Sequence, residues 1–329
     1  MISNSCDSFV KWLIPAHADE EQVLVHARAC DIEPVVRAVL QKCDLAANVR
    51  RAANAALYRA TLRLVLNAFD GLRVIVLKGV PLAQRLFDDP LMRETTDIDL
   101  WIAHEDLDRA DAALKTLGYN PLPVARAWAT NQRLYLPQDK TRFAVEVHWA
   151  LTQPPLRSPS FDEAWDQSCL CDDNALCWHE LSDAHTWIAL IYHAIQHVYA
   201  VKPWIDLAQA ESRLACDDAM LKQYGLARIN AVVRALFAPT DASHACATRL
   251  IAKAIRRGYA GILGDTARGH LIMGADSSLE AALGAASRAV SMFCVDGCTY
   301  RAYVLAFHVV LAADILGDKL RHGSADEHP

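Results

Sequence analysis

The chain has no excess of positive charge: 33 Lys and Arg stand against 39 Asp and Glu, for a formal net charge of −6. General binding to a nucleic-acid backbone, which needs a basic surface, is disfavoured on that ground. Long apolar runs are also missing. The longest, Ala302 to Leu316, is interrupted by His308 and Asp314 and is shorter than the ~20 residues that span a bilayer. Met1 to Asp7 lack the basic segment and apolar stretch of a secretory signal. The 10 cysteines are scattered along a chain far larger than a disulfide-stapled domain. They read as reduced, mostly core thiols, and the expected location is the cytoplasm, with no membrane partner. No internal repeat is apparent, and no tract is poor enough in apolar residues to suggest extended disorder. What remains is a folded chain of 329 residues, 53% of them hydrophobic, long enough for two or three domains.

Residues 1 to about 70 read as helices, with apolar positions recurring at three and four residue spacing through Val23, Ala29, Val36 and Leu40, and again through Leu57, Leu64 and Ala68. The pattern then changes. Arg73 to Leu77 is a short β-branched run between Gly71 and Gly79, which suits a buried strand, and Pro81 suits the start of a helix that Asp88-Asp-Pro90 ends. A strand over Asp97 to Ile102, a helix from about Glu105 to Leu117 and two strands near Leu134 to Leu136 and Arg142 to Trp149 follow. Pro154 to Pro159 is the best candidate for a boundary. Beyond it come a hairpin over Ser168 to His179, a helix capped by Ser182 and running to Tyr199, and further helical periodicity to about residue 320. These features divide the chain into an N-terminal helical segment (1–71), an α/β domain (72–155), a mainly helical C-terminal domain (156–320) and a frayed tail (321–329).

The chemistry gathers in the α/β part. Asp97 and Asp99 stand two apart on a strand, so both carboxylates occupy one face. Like charges so placed repel, and a divalent cation between them is the natural reason to keep the pair; hard oxygen ligands suit Mg²⁺ or Mn²⁺. Glu146 and His148 share a face of a later strand, and Glu146 completes a three-carboxylate cluster if the two strands are neighbours. Such a cluster can hold two ions that bridge the phosphates of a nucleotide. The turn at Gly79 presents backbone N–H groups to a triphosphate, and Lys78 and Arg93 add positive charge nearby.

Leu77-Lys-Gly-Val80, the helix after it, Arg93, Thr96-Asp-Ile-Asp-Leu100 and Val145-Glu-Val-His-Trp149 together resemble the nucleotidyltransferase superfamily that includes DNA polymerase β. Within it they resemble a bacterial family of poorly characterised nucleotidyltransferases. The resemblance implies an α+β nucleotidyltransferase fold with a mixed sheet. By the same resemblance, Asp97 and Asp99 would ligate the metals, Glu146 would ligate one of them and help deprotonate an acceptor hydroxyl, and Gly79 would shape the phosphate turn. The implied reaction moves a nucleoside monophosphate from an NTP such as ATP to a small-molecule, peptide or protein acceptor and releases pyrophosphate. One departure stands out: Val80 occupies the place where the wider superfamily carries a Ser that contacts phosphate. The family's His-rich helix matches His193-Ala-Ile-Gln-His197, followed by Trp204-Ile-Asp206.

Each assignment has an alternative. Asp97 and Asp99 can cap a turn, Glu146 can lie on a solvated strand face, and Lys78 or Arg93 can simply neutralise the acidic cluster as an ion pair. His193 and His197 share a helix face as zinc ligands do, but a packed pair with Asp206 as partner or acceptor contact is favoured. The spacing of Cys169, Cys171, Cys177 and His179 suits a metal knuckle, whereas a hairpin makes them ordinary strand residues. Other readings of the whole are transfer of a different phosphoryl unit, a catalytically silent nucleotide- or protein-binding module on the same fold, and a helical interaction scaffold.

Overall fold

The computed structural model describes residues 2–237, apart from 15–17, 43, 124–129, 140, 153–155, 174–175 and 198–199, together with Ala252 and Ile255. The helical periodicity expected beyond residue 237, Ala252 and Ile255 apart, the apolar stretch at 302–316 and the tail lie outside the described residues, as do Pro154 and Pro155 of the Pro-rich boundary.

Four helices open the chain: α1 (Asn4–Leu13), α2 (Glu20–Ala29), α3 (Glu33–Val39) and α4 (Leu45–Ala68). Ser3, Asp19 and Asp44 cap α1, α2 and α4, each side chain accepting the backbone N–H three residues on. Asp31, at φ +56°, splits the apolar run of residues 23–40 into α2 and α3. Strand β1 (Val74–Val76) and helix α5 (Gly79–Leu86) follow, then a 3-10 turn at Pro90–Met92 and strand β2 (Asp97–Ile102). Helix α6 (Leu107–Thr116) leads to β3 (Tyr119–Pro121), β4 (Gln132–Pro137) and β5 (Ala144–His148). After helix α7 (Phe161–Asp166) come β6 (Cys169–Asp172), β7 (Cys177–Glu180) and helices α8 (Asp183–Gln196), α9 (Val201–Ala210), α10 (Asp218–Gln223) and α11 (Ala227–Phe237).

The seven strands form one mixed sheet in the order β3-β4-β5-β2-β1-β7-β6. β2 lies antiparallel to β1 and parallel to β5, while β7 lies parallel to β1. This is the mixed α+β architecture that the sequence implies. The Cys169–Glu180 hairpin joins the same sheet at its edge, so the sheet does not end at residue 155. Strand β3, which the sequence pattern does not predict, pairs with β4.

Alternation along the strands sorts the two faces. Ile98, Leu100 and Ile102 of β2 and Val145 and Val147 of β5 are fully buried in a core completed by Tyr58, Leu62 and Val65 of α4 and Ala110 and Leu114 of α6. The opposite face contributes Ile75, Leu77 and Trp101 to a larger core with α5, α8, α9, α11 and α1. Asp97, Asp99, Glu146 and His148 belong to this second face, at the rim of the larger core. Among the described residues no helix is long and apolar enough to cross a membrane.

Candidate active site

The site is built where β1 ends and β2 begins. Leu77 N–H donates to the Asp99 carbonyl at 3.0 Å, which keeps the exit of β1 against β2. The next side chain, Lys78, places its ammonium 2.9 Å from Asp99 Oδ1. Gly79 then takes φ +78°, and a Cβ there would lie 2.2 Å from the Tyr58 hydroxyl oxygen. Conformation and space both demand glycine. The Tyr58 hydroxyl also donates to the Lys78 carbonyl at 3.3 Å, so α4 fixes this turn from below. Helix α5 starts at Gly79, two residues before the proline that marks its start in the sequence.

Parallel pairing of β2 with β5 sets Asp99 directly opposite Glu146, Asp97 opposite Ala144 and Trp101 opposite His148. His148 Nε2 lies 3.2 Å from Asp99 Oδ1 and 3.4 Å from Glu146 Oε2. Gln132 of β4 donates its side-chain amide to the other Glu146 oxygen. Asp99, Glu146 and His148 each offer a ligand atom, all within 4.8 Å of one another. Asp97 stands outside this trio, half-buried at the rim, with its Oδ1 accepting from the Thr96 hydroxyl at 3.3 Å.

Electrostatics divide the two aspartates. Burial, then the charge of Asp99, pushes the Asp97 carboxyl up to about 6, against the pull of Lys78. Burial acts in the same upward sense on Asp99, but Lys78 and His148 outweigh it and hold that carboxyl well below the usual carboxylate range. Burial opposes the charge on His148, and the carboxylates of Asp99 and Glu146 nevertheless raise its pKa.

The donor set fits a divalent cation. Carboxylate oxygens with one imidazole suit Mg²⁺ or Mn²⁺, the imidazole favouring Mn²⁺. His148 Nε2 stands 3.2 Å from Asp99 Oδ1 and 3.4 Å from Glu146 Oε2, and ligand atoms of all three fall within 4.8 Å of one another, near enough to converge on one ion. His148 is the residue that the sequence reading leaves out of the site, although its place one register step beyond Glu146 is the signal that finds it.

Arg93 is engaged elsewhere. It is buried and clasps Asp206 of α9 with both forks, Nε to Oδ1 at 3.0 Å and Nη2 to Oδ2 at 2.9 Å. Asp206 is therefore the partner of Arg93 rather than of the histidines. His193 and His197 of α8 pack edge to face, with ring centroids 5.0 Å apart. The Nδ1 of His193 is buried without a hydrogen-bond partner among the described residues, and burial, then the charge of Lys78, pushes its pKa well down. In the hairpin, Cys177 pairs with Asp172 and Cys171 with Trp178, so Cys169 and Cys171 lie on one face and Cys177 on the other. That pleat separates the knuckle residues, and among the described residues the group suited to a metal is Asp99, Glu146 and His148.

An acidic pair on one strand, a third carboxylate in register on its parallel neighbour, and a glycine turn opening a helix beside them define a nucleotidyltransferase-like domain. The chain belongs to the family described as uncharacterised nucleotidyltransferase, whose model matches residues 15–235. No curated protein and no solved structure matches the chain. Family membership points to transfer from a nucleoside triphosphate.

Proposed function

We propose that the chain is a metal-dependent nucleotidyltransferase that moves a nucleoside monophosphate from an NTP to a hydroxyl or similar group of an acceptor and releases pyrophosphate. The supporting observation is the parallel register that sets Asp99 against Glu146, with Asp97 and His148 on the same face of the sheet. Bound Mg²⁺ or Mn²⁺ supplies charge neutralisation to the triphosphate and acidity to the attacking hydroxyl. Asp97, Asp99, Glu146 and His148 are its proposed holders. Glu146, steadied by Gln132, is proposed to take the proton of the acceptor. Gly79 brings the start of α5 close to the phosphates. Arg93 acts through Asp206, as a clamp that fixes the approach to β2 against α9.

A silent nucleotide-binding module is the second reading, and one observation favours it: Asp99 Oδ1 is already taken by Lys78 and His148. The two readings separate in one assay. With labelled NTPs and Mg²⁺ or Mn²⁺ and a panel of hydroxyl acceptors, the enzyme releases pyrophosphate, and Asp97→Ala and Asp99→Ala variants that remain folded do not. Pyrophosphate release that survives both substitutions removes the proposed mechanism, and NTP binding without turnover establishes the silent module.

A further inference from the structure

The cations offered by the sequence for phosphate binding are already paired with carboxylates of the protein. Lys78 sits on Asp99 at 2.9 Å, and Arg93 spends both forks on Asp206. A triphosphate brings several negative charges to this rim and needs a counter-charge of its own. Helix α9 carries one. Lys202 lies one turn before Asp206, so both side chains share a helix face. Asp206 reaches Arg93, and Arg93 stands immediately before the Glu94–Thr96 lead into β2, so this face of α9 looks onto the end of β2 where Asp97 begins the strand. Lys202 feels the carboxylates of Asp31 and Asp206 first and that of Asp97 after them, and Asp97 in turn feels Lys202. Yet the half-buried Lys202 ammonium makes no hydrogen bond or ion pair among the described residues. Burial, then the charge of Arg93, disfavours its charged form, which is the condition of a cation waiting for a partner.

We propose that Lys202 is a phosphate-binding residue of this site, its ammonium meeting the non-bridging oxygens of the β- and γ-phosphates of the NTP and then those of departing pyrophosphate. This rests on the nucleotidyl-transfer reading and adds to it a residue from the helical layer. Lysine acts here as a point charge, so Arg at the same position keeps much of the effect.

The test is calorimetric titration of the full chain with magnesium pyrophosphate, which probes the phosphate subsite without a base. Lys202→Ala is expected to weaken binding by about tenfold or more, as for one lost charge-assisted contact, and Lys202→Arg by much less. Without ligand, the melting midpoint of Lys202→Ala is expected to equal or exceed that of the wild type, because an unpaired half-buried charge is gone. Unchanged pyrophosphate affinity in Lys202→Ala, or a lowered midpoint in both variants alongside equal losses of binding, overturns the assignment while leaving nucleotidyl transfer in place. Wild-type protein that binds neither pyrophosphate nor any NTP overturns both.

Discussion

Asp97 and Asp99 carry the same side chain on the same strand face, yet their surroundings give the two substitutions opposite effects on stability. Asp99 is 2% exposed and balances Lys78, so Asp99→Asn strands a half-buried ammonium and is expected to cost about 2–3 kcal/mol. Among the described residues Asp97 has no cation in direct contact, and it suffers burial plus the field of Asp99, so Asp97→Asn is expected to stabilise the metal-free protein by about 1–2 kcal/mol near neutral pH. Urea denaturation of the two variants checks this; equal losses at both positions contradict it. Gly79 is governed by sterics instead. Gly79→Ala must hold φ +78° and push aside the Tyr58 ring, and a loss of about 3 kcal/mol or more is expected from the thermal midpoint. The acidic residues of the site were legible because strand alternation fixes which side chains share a face. Lys202 was not, because its relation to Asp97 runs through Asp206 and Arg93, more than 100 positions apart in the chain.

At the scale of elements, the clasp between Arg93 and Asp206 joins the lead into β2 to helix α9, with side chains only 5% and 1% exposed. Arg93→Met or Asp206→Leu alone leaves a buried charge and is expected to cost about 3–5 kcal/mol, whereas the double substitution recovers much of that loss. A double-mutant cycle by denaturant melts measures the coupling, and strictly additive losses count against a direct clasp. In the N-terminal helices, Glu33 of α3 is held by Arg28 at 2.9 Å and Arg37 at 2.8 Å. Its hydrogen bond from Arg28 lowers its pKa to about 2, against the opposing effect of burial. A depressed carboxyl stabilises the fold above its unfolded pKa of about 4.3, and that contribution fades as pH falls toward about 2. Glu33→Gln is therefore expected to lose about 2 kcal/mol near neutral pH, with the gap to wild type closing across that acidic window. Strands β2 and β5 were readable since their period of two is unbroken. Strand β3 was hidden because Tyr119-Asn-Pro121 is short and ends in proline, and the attachment of the β6–β7 hairpin depends on a parallel pairing of β7 with β1, which local sequence cannot encode.

For the molecule as a whole, the decisive fact is that one sheet supports both cores and that the N-terminal helices contribute to each. Helix α4 packs on one face. The start of α1 docks on α9, where Ser3 N–H donates to Gln209 Oε1 at 2.9 Å, and the Gln209 amide donates onward to the Leu86 carbonyl at the end of α5 at 2.8 Å. Arg85 of α5 reaches the Leu181 carbonyl, Thr186 and Asp183 at the start of α8. Separating the helical layer from the sheet therefore breaks the α1 and α5 anchors and the Arg93–Asp206 clasp together, and exposes Trp101, Trp187 and Trp204, all buried to 1% exposure or less. Layers so tied open together. Native-state hydrogen exchange is expected to show the slowest amides of α4, β2, β5 and α9 opening with one common free energy. A layer of α8 and α9 that opens at least about 2 kcal/mol more easily than the sheet is the contrary result, and marks a separable unit. The same experiment carries the functional argument. A site assembled from β2, β5 and α9 keeps its geometry only while both layers stay docked, so Mn²⁺ together with pyrophosphate is expected to slow the common opening across all four elements. Ligand that protects β2 and β5 alone places the phosphate subsite wholly on the sheet and leaves α9 outside it.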